Sequence, residues 1–233
     1  MRRQWGWLSI VLAVGLLFAA ACRRTPSAKE SEKKAHIELE IVYKKNQQCY
    51  AISSSEQDNS LYSFNIAGQP VFDEEGQSVT ARALTSGMIV SLEYDGYILE
   101  TFPRQFSDVS EVRIIGTKSN DVEFLTSQIS EMFPSYGISN IARWTVSFDG
   151  ESFLNAREKR ALEMILEEKY EGATVTCEPE QDTTDRVGNI MVSVNEMTES
   201  SVSLQIRVEP GLGQTLPLER SISASLQDGI WTI

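Results

Sequence analysis

The chain has 233 residues and a formal net charge of −12, and hydrophobic residues make up 41% of it. An acidic chain without basic stripes is a poor binder of nucleic acid, because it has few cations to displace the counterions of a phosphate backbone. The hydrophobic fraction is that of ordinary globular proteins, which argues against a disordered chain. We therefore expect a folded protein that does not bind nucleic acid.

The first 22 residues have the pattern of an export signal. Arg2 and Arg3 precede an apolar run over residues 8–21, and three small residues stand directly before Cys22. The run of about 14 residues suits a signal-peptide core and is short for a membrane-spanning helix. The pattern resembles the signal of bacterial lipoproteins. That resemblance implies cleavage between Ala21 and Cys22, a lipid on Cys22, and attachment to the outer face of the cell membrane.

Two other outcomes stay open for this leader. Ala19 stands where lipoproteins most often have Leu, so residues 19–21 also fit an A-x-A site for ordinary secretion. Trp5 to Trp7 could extend the apolar run to about 17 residues, which keeps an uncleaved anchor possible. Residues 22–35 are polar and include a Pro, which predicts a flexible tether.

Residues 36–118 show the pattern of a β domain. Ile37, Leu39 and Ile41 alternate with glutamates, which is typical of a half-buried strand. The Asp95-Gly96 pair is typical of a tight hairpin turn, so the pattern predicts that the two strands around it are paired. The predicted strands span residues 37–43, 49–52, 61–66, 88–94, 97–101 and 109–115. Short antiparallel strands of this kind predict a small barrel or sandwich.

One part of this domain resembles a known family. The run over residues 84–105, with residues 112–115, is similar to small OB-like β-barrel domains found in lipoproteins of Gram-positive bacteria. The shared features are Gly87 before a strand, the Asp95-Gly96 turn and Pro103 after the next strand. Thr101 and Phe102 stand where the family usually has Ser and Tyr. The resemblance implies an OB-like barrel and brings no catalytic residue with it.

Residues 119–233 show an α+β pattern. Apolar spacing predicts a helix over residues 122–133, ending before Pro134, and a strand over residues 141–148. Asn155 and Glu158 have capping-box spacing at the start of a second helix, which Gly172 ends. Further strands are predicted at residues 174–177, 189–194, 202–208, 221–226 and 228–233.

Helices followed by an antiparallel sheet, with a terminal strand of sequence Asp-Gly-x-Trp-x-Ile at residues 228–233, resemble cystatin-like or NTF2-like cones. An αβ plait would give a similar order. The predicted fold class is therefore α+β, with an N-terminal all-β, OB-like small barrel followed by an α+β domain. The predicted organisation is a signal peptide at residues 1–21, the tether, and domains at residues 36–118 and 119–233.

The cysteines and the single histidine narrow the chemistry. Cys49 and Cys177 fall in different predicted domains, so they form either one disulfide across the two domains or two separate thiols. His36 is the only histidine, which argues against Ser-His-Asp, Cys-His and His-based zinc sites. We expect no metal and no cofactor.

Aromatic and acidic residues are the remaining candidates. Tyr94, Tyr97 and Phe102 could form a ligand-binding face, or they could be cross-strand core pairs. Trp144 and Trp231 could line a pocket, or they could pack in a core. The acidic residues could bind calcium or form a catalytic pair, but solvated loops and a helix start explain them as well. These acidic residues are Asp73, Glu74, Glu75, Asp149, Glu151, Glu178, Glu180, Asp182 and Asp185.

The expected function is therefore that of a non-enzymatic, lipid-anchored protein. It would bind a protein partner or a small ligand outside the membrane. The alternative is an enzyme or small-molecule binder with a pocket in residues 119–233.

Overall fold

The structure is a computed structural model that describes residues 34–55, 57–132, 143–149, 153–177, 187–210 and 216–233. This part of the chain is mostly β-structure, arranged in two sheets, with two α-helices. It is therefore a mixed α+β fold, as the sequence predicts.

The first sheet has nine strands and curls into a half-barrel. Its order is β5-β4-β9-β6-β1-β2-β3-β8-β7, with antiparallel pairs except for β3–β8 and β4–β9, which are parallel. A 3-10 turn, Ala81–Ala83, precedes β6. The strands are β1 (Ala35–Lys45), β2 (Gln48–Ser53), β3 (Leu61–Asn65), β4 (Val71–Phe72), β5 (Ser78–Val79), β6 (Met88–Tyr94), β7 (Ile98–Leu99), β8 (Arg104–Phe106) and β9 (Val109–Thr117).

The hairpin predicted at Asp95-Gly96 is wrong. β6 pairs with β1 and β9, whereas β7 pairs with β8. The Asp95 carboxylate accepts hydrogen bonds from the Tyr97 amide and from the Ser107 hydroxyl, so the local turn starts an excursion instead of a return strand. We call residues 95–108 the β7–β8 excursion. The Asp95 amide closes it by donating to the Asp108 carbonyl at 3.2 Å.

The second sheet has six strands in the order β11-β10-β12-β13-β14-β15. Helix α1 (Asp121–Met132) and helix α2 (Ala156–Lys169) confirm the two predicted helices. The sheet is mixed rather than antiparallel, because α2 carries the chain from β10 to a parallel neighbour, β11, and β12 is also parallel to β10. The strands are β10 (Arg143–Asp149), β11 (Thr174–Thr176), β12 (Val187–Met197), β13 (Ser201–Glu209), β14 (Leu218–Gln227) and β15 (Ile230–Thr232).

Two hydrophobic cores fill the described residues. One lies within the first sheet and includes Leu39, Val90 and Leu92, all fully buried. The other joins both helices to the second sheet and also takes in Val42 and Ile52 of the first sheet. Residues 34–233 form one compact unit because this second core draws side chains from both sheets. The predicted domain boundary at residue 118 stays a prediction.

The chain leaves the first sheet through a narrow gap between two glycines. We call residues 117–120 the crossing segment. The Lys118 amide donates to the Gly87 carbonyl at 2.7 Å, and the Asn120 amide donates to the Gly229 carbonyl at 3.0 Å. A Cβ on either glycine would lie 2.6 Å from the Lys118 carbonyl oxygen, and both glycines have positive φ. Only glycine therefore fits on either side of this segment.

Gly229→Ala should destabilise the protein more than Gly172→Ala. Both residues have positive φ, but a Cβ on Gly172 would meet open space. We expect about 1–2 kcal/mol of cost at Gly172 from backbone strain alone, and about 1–3 kcal/mol more at Gly229 from crowding against Lys118. Urea unfolding of both variants measures the difference. Equal losses in the free energy of unfolding would show that the packing at the crossing segment contributes nothing.

Candidate functional site

A surface cleft of about 530 Å³ opens beside helix α2. This volume falls within the range of small-molecule sites. We call it the α2 cleft. Its walls come from the first two turns of α2, the end of β11 and the loop between β2 and β3. The polar and sulfur-bearing residues at its surface are Asn59, Arg157, Lys159, Arg160, Glu163, Thr176 and Cys177.

The predicted capping box fixes the start of α2. The Asn155 side chain accepts hydrogen bonds from the amides of Arg157 at 2.9 Å and Glu158 at 3.1 Å. The Glu158 carboxylate accepts from the Asn155 amide at 2.7 Å in return. The apolar side of the helix, including Leu162 and Ile165, is buried in the shared core. The charged residues of its first turns are therefore left at the cleft.

Two glutamates of α2 bind the backbone of the neighbouring edge strand. Glu163 accepts from the Cys177 amide at 2.7 Å, and Glu167 accepts from the Val175 amide at 2.9 Å. β11 pairs with β10 on its other side, so these amides would otherwise form an open sheet edge. The two carboxylates thus close the edge of β11, and in the described residues neither forms an ion pair with a cation of α2 that lines the cleft.

Three cations of α2 have neutral neighbours. Arg157 Nη1 donates to the backbone carbonyls of Ser53 and Ser55. Lys159 Nζ lies 4.6 Å from the centre of the Phe148 ring, and Arg160 Cζ lies 5.2 Å from that of Phe102. None of the three cations forms an ion pair within the part of the chain that the structure describes.

The three aromatic residues predicted to form one face do not share one environment. Tyr94 is 9% exposed and packs edge-on against Phe106 at 4.9 Å between ring centres, so it belongs to the core. Tyr97 and Phe102 are 73% and 60% exposed, on the β7–β8 excursion. Phe102 reaches Arg160, which lines the α2 cleft. The sequence indicates an exposed aromatic here, but its proximity to α2 depends on the tertiary fold.

The cysteines are buried thiols in different cores, the arrangement of two separate thiols. Burial raises the pKa of the Cys49 thiol to about 12. Cys177 Sγ donates to the Lys159 carbonyl at 3.3 Å, at the wall of the cleft. His36 is exposed on β1, with Nε2 3.8 Å from Glu93 Oε2.

The two tryptophans fill the core rather than line a pocket. Trp231 packs against the rings of Phe124 and Phe153 and donates from Nε1 to Asp121 at 2.6 Å. Trp144 is 2% exposed and lies so close to Gly188 that a Cβ there would be 2.5 Å from the indole.

The acidic candidates form no metal site in the described residues. Asp73 instead accepts a hydrogen bond from the Gln77 amide at 2.6 Å and stabilises the turn between β4 and β5. Asp149 is exposed at the end of β10.

No helix in the described ranges is long and apolar enough to cross a membrane. Other predicted site residues lie outside the described residues: Ala21, Cys22, Glu151, Glu178, Glu180, Asp182 and Asp185.

Neither a protein-family model nor a curated protein matches this chain.

A second polar cluster lies under α2, where the two sheets meet. Glu40, Asp121 and Glu158 surround a void too small to admit a water molecule. Lys118 Nζ donates to Glu40 at 2.7 Å. Burial raises the pKa of Glu158 from 4.5 to about 7; the Asn155 hydrogen bond opposes this shift, and Glu40 and Asp121 add to it. The closed void makes this cluster a structural feature rather than a binding site.

Glu158→Gln should stabilise the protein at pH 8. Because the pKa is raised in the fold, the stabilisation from protonated Glu158 is complete below pH 4.5 and is lost as the pH rises through about 7. Gln is neutral and still accepts the Asn155 amide. We expect a gain of about 3 kcal/mol at pH 8 and almost none near pH 4.

Thermal and urea unfolding across this pH range measure the effect. Glu171→Gln changes an exposed glutamate just beyond the same helix and is the control. It should leave the free energy of unfolding unchanged both near pH 4 and at pH 8. A Glu158→Gln variant whose stability curve runs parallel to that of the wild type would contradict the assignment.

Proposed function

We propose that this chain is a lipid-anchored, extracytoplasmic binding module that takes its ligand in the α2 cleft. The observation that carries the proposal is the cleft itself, a ligand-sized volume with the exposed ring of Phe102 beside Arg160. Its cations form no ion pair among the residues that the structure describes. Binding sites combine apolar or aromatic surface with a few polar groups that orient the ligand.

The sequence of the leader supports the proposed location. A basic start, a short apolar run and small residues before Cys22 match the order of a lipoprotein signal. Two acyl chains, at about 0.8 kcal/mol per buried methylene, would hold the protein without a spanning helix. A chain of net charge −12 would be repelled by anionic headgroups, so a lipid suits it better than electrostatic adhesion.

The proposal includes a finer fold assignment. We assign residues 36–118 to an OB-like barrel domain and residues 119–233 to a cystatin-like, NTF2-like or αβ-plait domain. The antiparallel β1-β2-β3 series supports the first assignment, and two helices packed with a sheet that ends in a hairpin support the second.

Binding is proposed in preference to an enzyme with an internal pocket in the second region. Trp144 and Trp231 occupy the interior where such a pocket would lie. The cations at the α2 cleft are hydrogen-bond donors, and the Glu163 carboxylate there is bound to the Cys177 amide. These groups, with Phe102 beside Arg160, can hold a ligand without a chemical step. The sole histidine, His36, is not part of its lining.

Cys22→Ser should release the protein from the membrane or block its processing, because serine has no sulfur to acylate. Fractionation of cells and mass spectrometry of the mature N-terminus measure the two effects. Ser27→Ala, in the predicted tether, is the matched control and should leave both unchanged. If the Cys22→Ser protein is cut and retained like the wild type, the lipid-anchor proposal fails.

A photo-crosslinking residue at position 59 should capture the ligand in intact cells, because Asn59 lines the cleft. Phe102→Ala should reduce that adduct severalfold by removing the aromatic surface beside Arg160. The same crosslinker at position 227, exposed on β14, is the control. Identical adducts from both positions, or none from position 59, would count against the cleft as the binding site.

A further inference from the structure

We infer that the α2 cleft binds an oxyanion, a carboxylate or a phosphate, attached to a flat or apolar body that packs on Phe102. The inference rests on the proposed function, because it names the ligand class of the same cleft. It follows from the charge of the cleft wall, the partners of each charged group, and the available volume.

The cleft differs in charge from the rest of the molecule. The chain carries 33 acidic against 21 basic residues, yet the described residues of the cleft wall include three cations, Arg157, Lys159 and Arg160, and one carboxylate, Glu163. A local excess of positive charge in an acidic protein is a surface to which an anion binds.

Among the described residues, these cations form no ion pair with the carboxylates of their own helix. Lys159 and Glu163 are four residues apart on a helix, a spacing at which such side chains commonly pair. Here Glu163 accepts the Cys177 amide at 2.7 Å, and Glu167 is likewise bound to the Val175 amide. The edge strand therefore binds Glu163, the carboxylate whose spacing along the helix suits an ion pair with Lys159.

The neighbours of the cations hold them in place without cancelling their charge. Arg157 is fixed by two neutral carbonyls, and Lys159 lies over the face of Phe148. Arg160 lies over Phe102, and a guanidinium on a ring face can still present its in-plane N–H groups to an oxyanion. Two rings and two carbonyls thus hold three donors around one cleft.

The volume of the cleft and the exposed Phe102 ring indicate that the oxyanion is attached to a flat or apolar body. A cleft of about 530 Å³ is much larger than a bare carboxylate or phosphate needs. The Phe102 ring is 60% exposed beside Arg160, and covering it would remove apolar surface from water. An oxyanion joined to a flat or apolar body satisfies both features.

Three probes test the class on the full chain: phenyl phosphate, phenylacetate and the neutral 2-phenylacetamide. Titration calorimetry should show at least one of the two anions binding about tenfold or more tightly than the amide, because a charged group strengthens each hydrogen bond. The two anions separate a phosphate ligand from a carboxylate ligand. Binding of the amide as tight as that of both anions would overturn the inference, and so would no binding of any probe.

Two variants test whether anion binding depends on a cation of the α2 cleft. Arg160→Gln should weaken the tighter anion about tenfold, whereas Arg82→Gln, an exposed arginine on the 3-10 turn, should not change its affinity. Circular dichroism confirms that both variants fold. Equal effects of the two changes would overturn the inference. If the amide binds as tightly as both anions and Phe102→Ala abolishes that binding, the oxyanion is refuted and the proposed binding cleft stays intact. If the wild-type protein also gives no position-59 adduct in cells, both proposals are refuted.

Discussion

The fold depends on the passage of the crossing segment between Gly87 and Gly229. The Lys118 amide binds the Gly87 carbonyl of the first sheet, and the Asn120 amide binds the Gly229 carbonyl of the terminal hairpin. These bonds tie the first sheet to the terminal hairpin of the second, and α1 and α2 share one core with Val42 and Ile52. That shared core holds α2 with its charged turns at the surface, where the cleft lies.

Helix α2 makes three kinds of contact with the rest of the fold. Its apolar stripe fills the core, its capping box buries Glu158 among other carboxylates, and Glu163 and Glu167 close the edge of β11. Closing a sheet edge prevents unwanted strand pairing. In the described part of the chain, the same arrangement leaves Lys159 and Arg160 without an ion pair to Glu163 or Glu167. The contacts that protect the sheet edge therefore also bear on the charge of the cleft.

The sequence predicted those features of the fold that depend on local patterns of residues. Apolar spacing gave both helices, and Asn155 with Glu158 gave the capping box that the structure contains. The predicted hairpin at Asp95-Gly96 is wrong because the Asp95 carboxylate binds Tyr97 and Ser107 within the β7–β8 excursion. Strand β6 pairs instead with β9, which lies farther along the chain. The cleft could not be predicted, because whether a glutamate pairs with a lysine on its own helix or with a distant amide depends on tertiary contacts.

The opposite charges of the whole chain and of the cleft act over different distances. At physiological salt the Debye length is about 8 Å, so most of the net charge of −12 is screened from a ligand that has reached the cleft. An approaching anion is repelled by the acidic surface, and contact with Arg160 attracts it only at short range. Stacking on Phe102 is independent of charge and adds to the attraction at contact. The combination therefore favours ligands that carry both an anionic group and an apolar body over simple anions, which feel the same repulsion and gain less on contact.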